Sequence, residues 1–302
     1  MANRVDRPVI LGLDFGGTKF AIAVAEPSGE RLAVREIDSL AGSGARTGFD
    51  RCVHSARELL AEAAAGRTLA AVGASTFGIP FEDRVELAPA IPGWEELALG
   101  RELRGAFPGA RVTVTTDVKA AAAAEARWGV LAGHDPAVYL NLGTGLAVAL
   151  VSGGQVLSGA HGASGEIGYN LRAVTDVGLK LEERTMLEDV VSGRALGSAQ
   201  EVFAAAAHDP AAAALVETFT AELAFHLVNL AILVDPQRIA VGGGMTRSFD
   251  LMRPDLERAL RAGVPYPPDL VLARYPHDAP LRGVLALAAQ AAREPLGQQA
   301  PV

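Results

Sequence analysis

Three glycine-rich runs and three acidic residues are where this chain can do chemistry. The runs are Asp14-Phe15-Gly16-Gly17-Thr18-Lys19, Gly143-Thr144-Gly145 and Gly242-Gly243-Gly244. Glycine lets successive backbone amides point at one anion, so each run can cradle a phosphate, with Thr18 and Thr144 adding hydroxyl donors. Asp14 can hold Mg2+ through water, and Lys19 can either meet phosphate charge or form a surface ion pair. An ordinary hairpin is the competing reading of any single run. The acids are Asp117, Glu166 and Glu188. Asp117 follows the β-branched stretch 111–115 and precedes an alanine-rich one. A carboxylate there is either a ligand at the mouth of a strand or the N-cap of the next helix, a use worth ~1 kcal/mol. Glu166 stands in His161-Gly162-Ala163-Ser164-Gly165-Glu166-Ile167-Gly168-Tyr169, too rich in glycine for a regular element. A carboxylate fixed in such a loop can accept two hydroxyls of a polyol. Glu188, within Leu187-Glu188-Asp189, reads by itself as a solvated helix residue.

Hydrophobic pattern and turn signals predict the elements that position these groups. Strands are expected at 9–15, 20–25 and 30–37, a helix at 49–65 and a strand at 69–76. Another strand, 111–115, leads into a helix at 119–128 stopped at Gly129. A second cycle opens with strands at 137–142, 146–151 and 155–157. Helices at 198–207 and 211–233 follow, then a strand at 238–241 and a helix at 248–260 with Ser248 as N-cap. A strand at 270–273 and a helix at 281–293 complete the pattern. Strand, glycine turn, strand, glycine turn, strand thus occurs near 9–37 and again near 137–158, which a duplicated architecture explains. The predicted fold class is α/β, with two mixed-sheet lobes and a cleft between them.

The chain has 302 residues, half of them hydrophobic, enough for one large core or two of ordinary size. A net charge of -8 argues against a nucleic-acid partner, whose phosphates call for a basic footprint. Cys52 is the only cysteine, which excludes an intramolecular disulfide and fits a reducing, cytoplasmic compartment. The start of the chain lacks the apolar stretch and cleavage site of a secretory signal. The stretch 223–234 is too short for a membrane span and contains His226 and Asn229, so a core helix with a satisfied histidine is expected and no membrane partner. Histidine spacing predicts no zinc centre. The polar end of the chain, 293–302, reads as a frayed tail. Neither GxxxxGK[ST] nor a helix-opening GxGxxG occurs, which excludes a Walker-type loop and argues against a dinucleotide-binding unit.

Together these motifs resemble the ROK family (repressors, open reading frames and sugar kinases), within the sugar-kinase and actin-like ATPase superfamily, over nearly the whole chain. Leu11-Gly12-Leu13-Asp14-Phe15-Gly16-Gly17-Thr18-Lys19 is similar to the family's first phosphate motif, and Leu142-Gly143-Thr144-Gly145 to its second. Gly242-Gly243-Gly244 resembles the adenosine-side turn. Asp117, in Thr116-Asp117-Val118-Lys119, stands on the catalytic aspartate of Asn-Asp-x-Asn. Gly165-Glu166-Ile167-Gly168-Tyr169 resembles the sugar-binding Gly-Glu-Ile-Gly-His, and Glu188 a further sugar-binding glutamate. Gly78, in Phe77-Gly78-Ile79-Pro80, is similar to a glycine that contacts the sugar. The resemblance implies a two-lobed, ribonuclease H-like α/β fold of the actin-like ATPase type. Its small lobe would be 1–117 plus 281–302 and its larger lobe 118–280, in a homodimer. It also implies Mg·ATP-dependent phosphorylation of the 6-hydroxyl of a hexose, with Asp117 as base and Gly78, Thr116, Glu166, Tyr169 and Glu188 placing the ring.

Departures from the family pattern sharpen these expectations. Family members usually carry zinc on a histidine and three cysteines, where this chain has Tyr169, Leu179, Leu181 and Met186. No structural zinc is expected, and hydrophobic packing should order the region of Glu188 instead. Thr116 and Lys119 replace the two asparagines. Threonine offers one hydroxyl where asparagine offers a carbonyl and an amide. A mismatched buried hydrogen bond costs ~1–3 kcal/mol, roughly tenfold to over a hundredfold in selectivity. An amino-hexose such as kanosamine is therefore expected beside glucose, with N-acetylhexosamines as alternatives. Competing classes are a catalytically silent sugar-binding protein and a sugar-responsive regulator, for which a phosphate turn at residue 16 leaves no room for a preceding helix-turn-helix. Polyphosphate is the alternative donor to ATP.

Overall fold

The computed structural model describes residues 7–293, so most of the predicted tail lies outside the described residues. Strands β1 (Val9–Phe15), β2 (Lys19–Ala25) and β3 (Arg31–Asp38) lead into helix α1 (Ala45–Ala63). Next come β4 (Leu69–Thr76), the short β5 (Ile79–Pro80) and β6 (Val85–Glu86), α2 (Leu99–Ala106), β7 (Arg111–Thr116) and α3 (Asp117–Trp128). The second cycle has β8 (Ala137–Leu142), β9 (Leu146–Ser152), β10 (Gln155–Val156), α4 (Gly193–Leu196), α5 (Ala199–Ala205) and α6 (Pro210–Val234). It continues through β11 (Arg238–Gly242), α7 (Phe249–Gly263), β12 (Asp269–Leu272) and α8 (Ala279–Ala291).

The described residues divide into two compact units, one of residues 7–124, 158–163 and 278–293, the other of 125–157 and 164–277. In the first the strand order is β3-β2-β1-β4-β7, and in the second β10-β9-β8-β11-β12. Both sheets join an antiparallel trio to a parallel pair of strands, so the repeated glycine-turn pattern does mark a duplicated α/β architecture. Alternation in β2 shows how the first sheet is covered. Phe20, Ile22 and Val24 enter the core under α1 and α2, whereas Ala21, Ala23 and Ala25 face α8 with Val284, Leu285 and Ala288. Helix α1 presents Phe49, Cys52, Val53, Ala56 and Leu59, spaced three and four apart, to that core. The second unit buries Val138, Leu140, Phe219, Leu223, Ile239 and Phe249 around its own sheet.

Several boundaries differ from expectation for identifiable reasons. Helix α3 starts at Asp117, two residues before the predicted helix, because Thr116 caps it. Ser248 makes no side-chain capping bond, and α7 continues from a 3-10 turn over Gly244–Ser248. Helix α2 was not anticipated: eight residues containing Gly100 and Gly105 carry little propensity. Asp209 accepts the N–H of Ala211 and Pro210 occupies the first turn, which starts α6. At 25 residues α6 is longer than its sequence suggested, and among the described residues it is the one helix long and apolar enough to cross a membrane. Its Phe219, Leu223, Leu227 and Ala231 nevertheless belong to the second core.

Candidate active site

In the first unit, strand register gathers the candidate residues. Asp14 pairs with Ser75 and Ser75 with Thr115, while Phe15 pairs with Thr76 and Thr76 with Thr116. Three parallel strands thus end side by side, at the edge of a sheet where ligands collect. Ser75 Oγ donates to Asp14 Oδ1 at 2.8 Å. Burial nevertheless pushes the Asp14 carboxyl up to about 6, with the neighbouring Asp117 charge adding to it and Ser75 and Lys19 opposing it. Asp117 is also raised by burial, against the bond it accepts from the Val118 N–H at 2.8 Å and the attraction of Lys119. Thr116 Oγ1 accepts the Lys119 N–H at 3.3 Å, so the cap of α3 is Thr116 and not Asp117. Asp117 is left as the first helical residue, where the helix dipole favours an anion. The Asp14 carboxylate is a hard oxygen donor of the kind a hydrated divalent cation takes, so Asp14 fits Mg2+ held through water.

The first glycine run closes the β1–β2 hairpin through a bond from the Gly16 N–H to the Lys19 carbonyl at 3.1 Å. Ser39 braces it, donating its Oγ to the Gly17 carbonyl at 2.8 Å and its N–H to the Thr18 carbonyl at 2.9 Å. Lys19 pairs with Glu36 at 2.8 Å, the surface ion pair among its two readings, and Thr18 is exposed. Gly78 follows β4 and packs on the Glu86 carbonyl and Ala88. Beneath both corners lies buried Trp94, whose Nε1 donates to Thr76 Oγ1 at 2.8 Å and whose ring contacts Phe15, Phe20 and Phe77. One aromatic cluster therefore carries the first glycine turn and the Gly78 corner together.

In the second unit, Gly143 donates its N–H to the Gly145 carbonyl at 3.1 Å, closing the β8–β9 turn around Thr144. Glu188 is neither helical nor freely solvated. It sits in a 3-10 turn, Leu187–Asp189, and its Oε2 accepts the Leu146 N–H at 2.9 Å. That oxygen stands 2.5 Å from where a Cβ on Gly145 would lie, so a side chain at 145 would expel the carboxylate. Glu188 Oε1 accepts from Arg194 at 2.7 Å, while the N–H groups of Gly193 and Arg194 donate to the carbonyls of Gly143 and Thr144 at 2.7 and 3.4 Å. Carboxylate and glycine turn are one hydrogen-bonded assembly. Glu166 precedes a 3-10 turn over Ile167–Tyr169, and the Gly165 carbonyl accepts from Val148 and Ile167, which ties the loop to β9. Burial raises the Tyr169 hydroxyl first, and the charges of Glu166 and Glu188 raise it further, so these side chains share one electrostatic neighbourhood. Gly242 ends β11 opposite Asn141 of β8, which brings the third glycine run beside the second.

The expectation that apolar packing replaces zinc is corrected. Leu179 and Leu181 are 44% and 48% exposed, and Met186 is only partly buried. Polar bonds hold the segment instead. Arg184 donates to the carbonyls of Tyr169 and Asn170 at 2.6 and 3.0 Å, and Arg172 pairs with Glu222 at 2.6 Å. Asp176, Glu183 and Asp189 each accept backbone N–H bonds that close successive turns. Leu187 and Val191 alone in this stretch are fully buried apolar anchors. A loop without regular strands gives leucines no sheet face to enter, whereas arginine can bond backbone carbonyls wherever they point. Among the described residues no group of three His, Cys, Asp or Glu side chains is placed to hold a metal ion. His226 is only half satisfied: Nδ1 meets Asn170 at 3.3 Å, Nε2 is buried without a partner, and burial lowers its pKa. Ser75, Trp94, Arg184 and Arg194 were not anticipated, since no motif spacing marks them.

The ROK family model matches residues 10–291. The bifunctional enzyme NanE/NanK of Brucella melitensis is 31% identical over 294 residues, covering 93% of this chain and 54% of that protein, so this chain spans about half the length of that relative. Kanosamine kinase of Amycolatopsis mediterranei is 31% identical over 310 residues, covering 93% and 96% of the two chains. A ROK family glucokinase from Streptomyces griseus, solved with glucose and AMPPNP, matches with a TM-score of 0.71 at 28% identity, covering 93% of this chain and 99% of that one. Matched from β1 through α8, and with the same duplicated sheets, this chain belongs to the ROK family and has the fold of its sugar kinases.

Proposed function

We propose that this protein is a cytoplasmic, ATP-dependent kinase acting on the 6-hydroxyl of a hexose, either glucose or an amino-hexose of the kanosamine type. The observation that carries this reading is Asp117. It is an ionisable carboxylate released from capping duty by Thr116, one residue past the end of β7, and in electrostatic contact with Asp14 beside the first glycine turn. Family membership and the likeness to a kanosamine kinase support phosphoryl transfer to such a sugar.

In this mechanism Asp117 accepts the proton of the 6-hydroxyl as that oxygen attacks the γ-phosphorus in line. Backbone amides of Gly17, Thr18, Thr144 and Gly145, the ones in the two runs not spent on closing the hairpins, donate to phosphate oxygens, and 242–244 takes the adenosine side. Asp14 would hold Mg2+ through water, and the ion when bound offsets phosphate charge. Glu166 and Glu188 accept ring hydroxyls, and the bond from Arg194 keeps Glu188 aimed. Gly78 and Tyr169 complete the sugar site. Thr116 Oγ1 already accepts one bond from Lys119, leaving one proton and one lone pair for the sugar. An asparagine would offer two donors and a full carbonyl, so this position makes fewer demands on the ring substituent it meets. That supports a substrate with an altered hydroxyl.

The test is sugar-phosphate formation across glucose, kanosamine, glucosamine, N-acetylglucosamine, N-acetylmannosamine, mannose and fructose, with ATP, where ADP release is followed, and with polyphosphate, the new phosphate being located by NMR. Sugar-dependent ADP formation and a 6-phosphate are expected. ATP turnover indifferent to every sugar would overturn the reading, and glucose used as well as or better than kanosamine would remove the amino-hexose.

A further inference from the structure

Asn141 lies between the second and third glycine runs and has no role so far. It is the next-to-last residue of β8, pairing with Gly242 at the end of β11. Parallel strands that end together put the side chain of one beside the turn that follows the other. Asn141 Nδ2 stands 3.1 Å from where a Cβ on Gly143 would lie, and its Oδ1 stands 2.9 Å from the corresponding point on Gly243. The carboxamide therefore spans the gap between the two runs; a side chain on Gly243 would displace it and one on Gly143 would crowd it. Tyr139, two residues earlier on the same face, supports Gly242 in the same manner but is buried. Asn141 is partly exposed. Its carboxamide makes no hydrogen bond among the described residues, although it carries two donors and an acceptor. A polar group in contact with two backbone turns and left unused by both is available to a ligand.

We infer that Asn141 is a nucleotide-binding residue, donating an Nδ2–H bond to a phosphate oxygen of the nucleotide while its Oδ1 face stays packed on Gly243. This rests on the nucleotide-binding reading of the two runs. One side chain then contacts the phosphate turn, the adenosine-side turn and the bound nucleotide, and keeps the two turns at one separation. Aspartate is the informative replacement, because it keeps the shape while exchanging the donor for a negative charge. Beside phosphate, that exchange repels as well as removing a bond.

ADP binding measured by calorimetry, with thermal melting as a check on folding, tests the inference on the full chain and its Asn141→Asp and Asn141→Ala variants. ADP dissociation constants are expected to rise about tenfold or more for Asn141→Asp and less for Asn141→Ala, with melting temperatures near that of the parent. In steady state KM for ATP rises while KM for the sugar stays within about twofold. A spacer that only packs predicts the opposite order, with Asn141→Asp binding like the parent and Asn141→Ala weakened. That order, or equal binding by all three, overturns the role of Asn141. Failure of the parent chain to bind ADP overturns the nucleotide reading itself, so the two failures are told apart.

Discussion

Asp14 and Asp117 place two carboxylates where neither ionises at its ordinary pKa. Asp14 has a folded value of about 6 against 3.8 for the ordinary carboxyl, so the folded state binds the extra proton between those values. Stability from that proton is fully present below about 4 and is lost as pH rises through 6, at most ~3 kcal/mol at 1.36 kcal/mol per unit. Asp14→Asn should therefore melt higher than the parent at pH 8 without Mg2+, and the gap should close by pH 4. A parent that melts higher at both pH values would contradict the strain assigned to this carboxylate. In the base role proposed for Asp117, its raised pKa should move the acid limb of kcat above the usual carboxylate range. Asp117→Asn should keep sugar affinity while lowering kcat by about 100-fold or more. Near-normal turnover would remove it from the base role. Asp117 was visible from the sequence as a residue at a strand end. That Thr116 takes the cap was not, because either hydroxyl or carboxylate satisfies the same orphan N–H groups.

At the scale of elements, regular pieces were readable and irregular ones were not. Strand β1 is a continuous apolar run because both its faces are buried, and the alternation of β2 shows a wide core on one side and a close-packed helix on the other. The segment 166–190 offers no period to read. Its order comes from Arg184 and Arg172 bonding to groups distant in sequence, a pairing no spacing rule reports. Exposure of Leu179 and Leu181 separates the two accounts of this loop. Replacing either leucine with serine should change melting temperature and sugar KM little, since exposed side chains rarely matter by more than about 0.5 kcal/mol. Arg184→Ala should raise KM for the sugar several-fold, because it frees the carbonyls of Tyr169 and Asn170 next to Glu166. Kinetics of the three variants with varied sugar decide between the accounts. A larger effect from the leucines would restore the apolar-packing account.

Across the whole molecule, the chain leaves its first unit near residue 124, touches it again at 158–163 and returns to it at 278, so α8 completes a core begun by β1. The approach is close because glycine stands on both sides of it: Gly73 of β4 lies against the Val284 backbone, and Gly283 of α8 lies against the Ala120 carbonyl of α3. Asp117 opens that same α3, so α8 supports the element that carries the proposed base. Helix propensity and packing give opposite signs for Gly283→Ala. Propensity favours alanine by about 0.5–1 kcal/mol, whereas a Cβ driven into the Ala120 carbonyl costs about 1–3 kcal/mol. Packing should win, since backbone cannot yield as a flexible side chain can. Gly105 in α2 is the control, with no atom within 4 Å of where its Cβ would lie. Gly105→Ala should stabilise by roughly the propensity difference and leave kcat unchanged. Gly283→Ala should destabilise and lower kcat, because α3 must shift to admit the methyl group. Denaturant unfolding and steady-state kinetics on both variants read the result. Stabilisation by both alanines would mean that α8 does not press on α3, and the support of Asp117 by the returning helix would have to be abandoned.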